Sequence, residues 1–375
     1  MNSSESATNN YQSSIVNYQL KKRLLSLDVL RGITVVGMIL VNNSGGKLSY
    51  ESLKHSAWNG LTLCDLVFPF FLFIMGISTY IALNKFHFQA SGAVIRKILK
   101  RTLLILCIGW AIHWFHFACE GNFFPFAHLR LTGVLPRIAL CYCAVSLIAL
   151  YVNHKYIGWL ICILLVGYTF LLCIGNGYAA DSTNLLAVID RNVLGVEHLY
   201  HKSPIDPEGL TGTLAAIAHT LIGFCCGKLI MAKKSLEEKT LKLFVVGFVL
   251  MACGFCLTEA LPLNKRIWSP TFVLVTCGLA AMLQALLVYF IDMKEKKGWC
   301  RFFEIFGVNP LFLYVLSEMT AIVVGVAGVK PIVYEGINTL ITDPYLASAL
   351  YAVGFTLIMG ACGYPLYKKK IYIKI

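Results

Sequence analysis

Ten apolar runs of bilayer length, spread along 375 residues, constrain the fold of this chain more than any other feature. They lie at about 27–43, 62–84, 102–118, 133–151, 156–174, 212–231, 241–261, 268–291, 302–322 and 345–367. A helix crossing the hydrocarbon needs roughly 20 predominantly apolar residues. Lipid offers the backbone no hydrogen bonds, so runs of this length are expected to be helices, whose bonds are internal. Composition agrees. The chain is 58% hydrophobic and 14% charged, against about 25% charged in a soluble domain, and its mean hydropathy is +0.71. The expected fold is all-α: a polytopic membrane helix bundle of about ten transmembrane helices. Asn309-Pro310 interrupts the run at 302–322, which is the weakest of the ten. No loop is long enough for a second folded unit, so residues 23–375 read as one transmembrane domain.

The net charge of +13 would suit nucleic acid, but its distribution suits a membrane. With a cytoplasmic amino terminus and alternating sides, the cytoplasmic segments hold 21 Lys and Arg and the opposite loops hold 8. That is the positive-inside pattern, and both termini are expected in the cytoplasm. Nucleic-acid binding is not needed to explain the charge. Residues 1–20 lack a basic start followed by an apolar core, so no cleavable signal is expected. Residues 1–22 read as a disordered cytoplasmic tail. The 14 cysteines fall mostly within apolar runs, where cysteine behaves as a small hydrophobe. Cys253-x-x-Cys256 has no second pair, and His113, His116 and His128 make no zinc pattern, so no metal is expected.

Chemistry-bearing residues gather at the ends of the runs. His55, Trp58 and Asn59 precede the second run, which carries Asp65 and then Pro69. Pro69 cannot donate to the carbonyl of residue 65, so a kink and a spare acceptor are expected there. An ionisable group inside a span marks a functional site by default. Asp65 within reach of His55 would fix its tautomer for acid–base or nucleophilic work. The plainer alternative is an interfacial histidine, with Trp58 in the aromatic belt. Asp28 and Arg31 form an i, i+3 pair at the start of the first run, either self-neutralising or walling a polar tunnel. Asn42-Asn43-Ser44-Gly45-Gly46 closes that run, as a helix stop or a ligand-approach turn. Arg137, His219, Gln284 and Glu318 lie inside later runs. A phosphate-bearing ligand would use the basic edge at Arg96, Lys97, Lys100 and Arg101, unless those charges serve only topology. The loop at 175–211, rich in both signs of charge, reads as a lid or rim. No P-loop, dinucleotide or serine-elbow motif is present.

Several segments together resemble one family. They are SLDVLRGITVVGMILVN at 26–42, KHSAWNGLTLCDLVFPFFLFIMGIS at 54–78, LTGVLPRIALCY at 131–142 and IDRNVLGVEHLY at 189–200. DPEGLTGTLAAI at 206–217, NKRIWSPTFVL at 264–274 and GVNPLFLYVLSE at 307–318 complete the set. The chain resembles the heparan-α-glucosaminide N-acetyltransferases, multi-span membrane acyltransferases with many bacterial relatives.

The resemblance implies that acetyl-CoA, supplied from the cytoplasm, acetylates the amine of a terminal glucosamine or related amino sugar on the far side. It implies His55 as the active-site residue, with Asp65 and Asn42 lining its pocket; His55 is expected to act as base or acyl carrier and Asn42 as an oxyanion donor. Trp58, Asn59, Asp206 and Glu208 are expected beside the sugar or oligosaccharide acceptor, and Asp28, Arg31 and Arg137 beside acetyl-CoA. A homodimer and a bacterial inner (cytoplasmic) membrane location are implied as well. Against the family pattern, neither a lumenal amino-terminal domain nor an extra first span is expected here. The stretch from Asn42 to His55 is also about two residues longer, and Ser317-Glu318 replaces a His-Glu, so Glu318 is given no catalytic role. A membrane transporter and a sugar O-acetyltransferase are the other readings of the same features.

Overall fold

The computed structural model describes residues 24–200 and 203–373. The expected tail at 1–22 lies outside the described residues, as does His201 of the long loop. Thirteen α-helices run through the described residues, with no strand among them. The first five are α1 (Leu25–Asn42), α2 (Leu63–Asn84), α3 (Gly92–Cys119), α4 (Val134–Tyr151) and α5 (Ile157–Ile174). Next come α6 (Leu185–Leu194), α7 (Thr213–Met231), α8 (Leu236–Leu257) and α9 (Pro270–Leu287), the last continued by a π-turn at Val288–Met293. The chain ends with α10 (Cys300–Val308), α11 (Pro310–Val326), α12 (Val329–Leu340) and α13 (Pro344–Lys368).

Nine of the described helices are long and apolar enough to cross a bilayer. The tenth expected run is broken: α10 and α11 meet at an 83° bend. The break falls at Asn309-Pro310, where proline removes a backbone donor and restricts its predecessor. Asn309 leaves the helix and brackets the chain after α13, donating to Ile371 O at 2.8 Å and accepting from Ile373 N at 2.9 Å. The pair still connects both ends of the bundle. Gly307 packs on the backbone of Asp28 at one end of α1, while Glu318 bonds Asn42 at the other. The protein is an integral multi-pass membrane protein.

Two helices start well before their apolar runs. Ser91 caps α3 by accepting from Val94 N at 3.3 Å, and Ser235 caps α8 by accepting from Glu238 N at 3.2 Å. Arg96, Lys97, Lys100 and Arg101 in α3, and Glu237, Glu238, Lys239 and Lys242 in α8, lower the hydropathy of these starts, but Lys, Arg and Glu are good helix formers.

The core is built by α2, α7 and α9, which are 67%, 67% and 72% buried. By contrast α3, α5 and α8 are only 17–22% buried, and their apolar residues face outward, as lipid-facing helices require. Helices α2 and α7 approach at backbone distance. Gly76 faces the backbone of Thr220 and Phe224, and Gly223 faces that of Phe73, so any side chain there would force the pair apart. Pro69 sits inside an uninterrupted α2, and its own carbonyl accepts from His219 Nε2 of α7 at 2.9 Å.

Contacts sort the connections onto two faces. Residues 43–62, 175–200, 203–212, 258–269 and the start of α13 meet on one, through Gly45 N to Ser348 O, Gly60 N to Leu263 O and Trp58 Nε1 to Tyr178 O. This is the His55 face. Leu24, Lys85, Lys239 and Lys297 gather on the opposite face.

Candidate functional site

The site on the His55 face begins with a helix cap. Thr62 precedes α2 with extended backbone, and Asp65 occupies the third helical position, completing a capping box. Asp65 Oδ2 accepts from Thr62 N at 3.2 Å and from Ser56 N at 3.1 Å, with Thr62 Oγ1 at 3.0 Å. The positive end of the α2 dipole favours a carboxylate here. One oxygen is thus consumed in folding the 54–62 turn onto the helix, and the other remains for chemistry.

That other oxygen, Oδ1, stands 2.8 Å from His55 Nδ1. Asp65 is fully buried, whereas the His55 side chain is 50% exposed. With Nδ1–H donated to Asp65, Nε2 keeps its lone pair, with Cys64 Sγ 3.6 Å away. Cys64 Sγ lies 3.1 Å from Nδ1. Lys265, from the turn before α9, brings Nζ to 2.8 Å from Nδ1, 3.3 Å from Nε2 and 3.4 Å from Asp65 Oδ1. Asn264 Nδ2 donates to Asn59 Oδ1 at 3.1 Å and clips that turn to the His55 loop. Trp58 donates to Tyr178 O at 3.0 Å, which holds the long 175–212 connection against the same loop.

Asn42 lies at the same end of the bundle, because Gly37 of α1 faces Val67 of the antiparallel α2. Its Nδ2 donates to Glu318 Oε1 at 3.1 Å. Glu318 also takes a hydrogen bond from Tyr314, one turn earlier on α11.

Asp206 and Glu208 form a second ionic group with Arg130. Arg130 Nη2 reaches Asp206 Oδ1 at 2.6 Å and Glu208 Oε2 at 2.8 Å, and its guanidinium lies over the Tyr200 ring. Asp206 also accepts from Thr132 Oγ1 at 2.5 Å, Tyr200 N at 2.9 Å and Glu208 N at 2.8 Å. Burial pushes the Asp206 carboxyl up, but the Arg130 charge and these hydrogen bonds outweigh it and hold the group below the usual carboxylate range. Asp190 of α6 anchors the same turn by accepting from Thr211 N at 2.9 Å and Oγ1 at 2.7 Å.

Arg137 is buried in α4. It donates to Gly209 O at 2.9 Å and lies over the Trp268 ring. It therefore serves the 206–212 turn and is apart from Asp28 and Arg31. Those two line a cavity of about 1020 Å³ that opens at the opposite face, with Ser78, Lys85, Lys239 and Lys297. Arg31 donates to Asp28 Oδ1 and to Ser78 Oγ, both at 2.9 Å. Among the described residues no grouping of His, Cys, Asp or Glu is placed to hold a metal ion.

The sequence model of a family described as "Heparan-alpha-glucosaminide N-acetyltransferase, catalytic" matches residues 23–242, more than half of the chain. The chain belongs to this family. It is 28% identical to the heparan-alpha-glucosaminide N-acetyltransferase of Homo sapiens, over 95% of this chain and 60% of the relative. The corresponding protein of Mus musculus is 27% identical over 94% of this chain and 60% of its own length. The chain thus spans about 60% of the length of the curated relatives it matches.

The family match carries His55, Asp65, Asn42 and the 206–212 turn, and stops before Lys265. Lys265 and Cys64 are the members of the His55 group that sequence reasoning missed. Lys265 stands in NKRIWSPTFVL, a stretch that does carry the resemblance, but it is 210 residues from His55 and no spacing rule joins them.

Proposed function

We propose that this protein is a membrane N-acetyltransferase that moves the acetyl group of acetyl-CoA to the amine of a glucosamine or related amino sugar. The observation that carries this is the His55–Asp65 pair: a buried carboxylate on Nδ1 of a half-exposed imidazole, in the family's matched region.

Acetyl transfer needs a neutral amine, a stabilised oxyanion and held reactants. His55 Nε2 accepts the proton of the attacking amine. Asp65 keeps the ring in the required tautomer and balances the imidazolium that forms. His55 then returns the proton to the leaving group, so one base serves both halves of the exchange.

The cavity on the opposite face fits the acyl donor. Its volume of about 1020 Å³ is at the top of the roughly 300–1,000 Å³ range of ligand pockets. Arg31, Lys85, Lys239 and Lys297 supply cations for phosphates beside the lining carboxylates Asp28, Asp292 and Glu295; Asp28 and Ser78 fix Arg31, and Glu295 lies 3.4 Å from Lys297. Acetyl-CoA brings an activated thioester; the residues here would bind and orient it. This face is the cytoplasmic one, in keeping with the 21-to-8 division of Lys and Arg. Residues 23–375 act as a single transmembrane domain in this reading, in the cytoplasmic membrane of a bacterium. The 83° break between α10 and α11 is a feature that transporters also use, and it favours transport as the second reading.

The test is acetyl transfer from labelled acetyl-CoA to a panel of amino sugars in membranes bearing wild type or His55→Ala. Transfer by the wild type that falls by about 10²–10⁴ in the variant is the expected result. Transfer that survives His55→Ala would sink the mechanism. Uptake of sugar without acetylation would favour the transporter.

A further inference from the structure

We propose that Lys265 is a catalytic residue of the His55 site, supplying the positive charge that meets the oxyanion of the reacting acyl group. The inference rests on the acyl-transfer reading of that site and deepens it.

The position of Lys265 relative to the ring carries the argument. A partner on the in-plane lone-pair line of Nδ1 at 2.8 Å stands about 5 Å from Nε2. Lys265 Nζ is 2.8 Å from Nδ1 but only 3.3 Å from Nε2, so the ammonium stands over the ring and not on that line. Asp65 Oδ1 therefore keeps the in-line place on Nδ1. Cys64 Sγ, 3.1 Å from Nδ1 and 3.6 Å from Nε2, is off that line as well, so among the described contacts none occupies the in-plane lone pair of Nε2, and a cation stands beside it.

An acyl carbon joined to Nε2, or attacked by an amine that Nε2 deprotonates, lies within about 3–3.5 Å of the groups that react with it. Its oxygen then falls within hydrogen-bond reach of an ammonium 3.3 Å from Nε2. Two charges develop together in the transition state, positive on the imidazole and negative on the acyl oxygen. Two opposite charges are already placed for them: Asp65 for the imidazolium and Lys265 for the oxyanion. The resting pair neutralises itself at 3.4 Å, so neither charge is stranded before substrate arrives.

Lys265 is held for this role. Its side chain is only 11% exposed. The turn that carries it is tied down by Gly60 N to Leu263 O at 2.8 Å, Asn264 to Asn59 at 3.1 Å and Trp268 N to Lys265 O at 3.0 Å. Asn42, the residue that the sequence suggests as the oxyanion donor, has its amide engaged by Glu318.

The test uses p-nitrophenyl acetate as acyl donor and the full-length protein in detergent. Nε2 bonds to the acyl carbon, the carbonyl electron pair moves to oxygen, and its return expels nitrophenolate. Water then hydrolyses the acetyl-imidazole. Release that depends on His55 is the wild-type rate less that of His55→Ala. Lys265→Met is expected to lower it by about 10²–10³, as loss of one oxyanion donor does, with half-saturation unchanged. Lys265→Arg, which keeps the charge, is expected to recover part of the rate. If Lys265→Met does not fold, Lys265→Gln, a neutral donor, carries the same comparison and should fall between. Equal release by wild type and the neutral variants overturns the proposal, as does wild-type release no faster than His55→Ala. Lys265-dependent release without transfer from acetyl-CoA would uphold this role and remove only the acetyl-CoA reading.

Discussion

Two ionic groups lie on the His55 face, and they differ in how much hydrogen-bonding capacity they leave unused. Asp206 accepts from Arg130, Thr132, Tyr200 and Glu208, so both its oxygens are committed to holding a turn. Asp65 commits one oxygen to the α2 cap and gives the other to His55, which remains half exposed. Saturation marks a scaffold, and an unspent nitrogen on a buried carboxylate marks a reactive centre. Both groups contain buried carboxylates, so burial and charge alone do not separate them.

The comparison breaks most readily at Asp65→Asn. The amide can still cap α2, but it presents the wrong partner to Nδ1. The expected outcome is a folded protein whose transfer rate falls by about 10⁴, the loss found when a triad carboxylate becomes an amide. A rate within tenfold of wild type would show that the carboxylate only caps the helix.

At the other group, Arg130→Met leaves Asp206 buried with its main charge partner gone, which costs about 3–5 kcal/mol. The thermal midpoint in detergent should drop, while transfer per folded molecule changes little. Acid sharpens the same test. The Asp206 carboxyl is held below its ordinary value, so its contribution is complete above about pH 4 and fades as pH falls through the folded value. The wild type should therefore lose stability below about pH 4, and Arg130→Met should show less of that loss. A variant as stable as wild type, with the same acid profile, would mean that the cluster carries no structural weight.

Trp58→Phe is the smallest perturbation. It removes one hydrogen bond, Nε1 to Tyr178 O at 3.0 Å, and replaces the indole with a smaller aromatic ring. Stability should fall by about 1 kcal/mol. A large loss of transfer with stability unchanged would move Trp58 from the rim of the site into contact with the acceptor.

The helices of the bundle were legible because their cause is local. A run of about 20 apolar residues must form a helix in lipid whatever its neighbours are, and even the break at Asn309-Pro310 follows from the chemistry of one residue pair. The short helices α6 and α12 were not legible in the loops that contain them. Each is amphipathic, and only the packing partner decides that such a segment is ordered. His55 and Asp65 were legible as a pair because ten residues of chain join them across a helix cap. Sequence put Arg137 with Asp28 and Arg31, and tertiary structure moved it to the 206–212 turn. Lys265 reaches His55 across 210 residues. A backbone hydrogen bond inside a helix is dictated by the residues that make it. A charge placed over an imidazole from another turn is dictated by how α2 and α9 pack, and only the folded bundle contains that information.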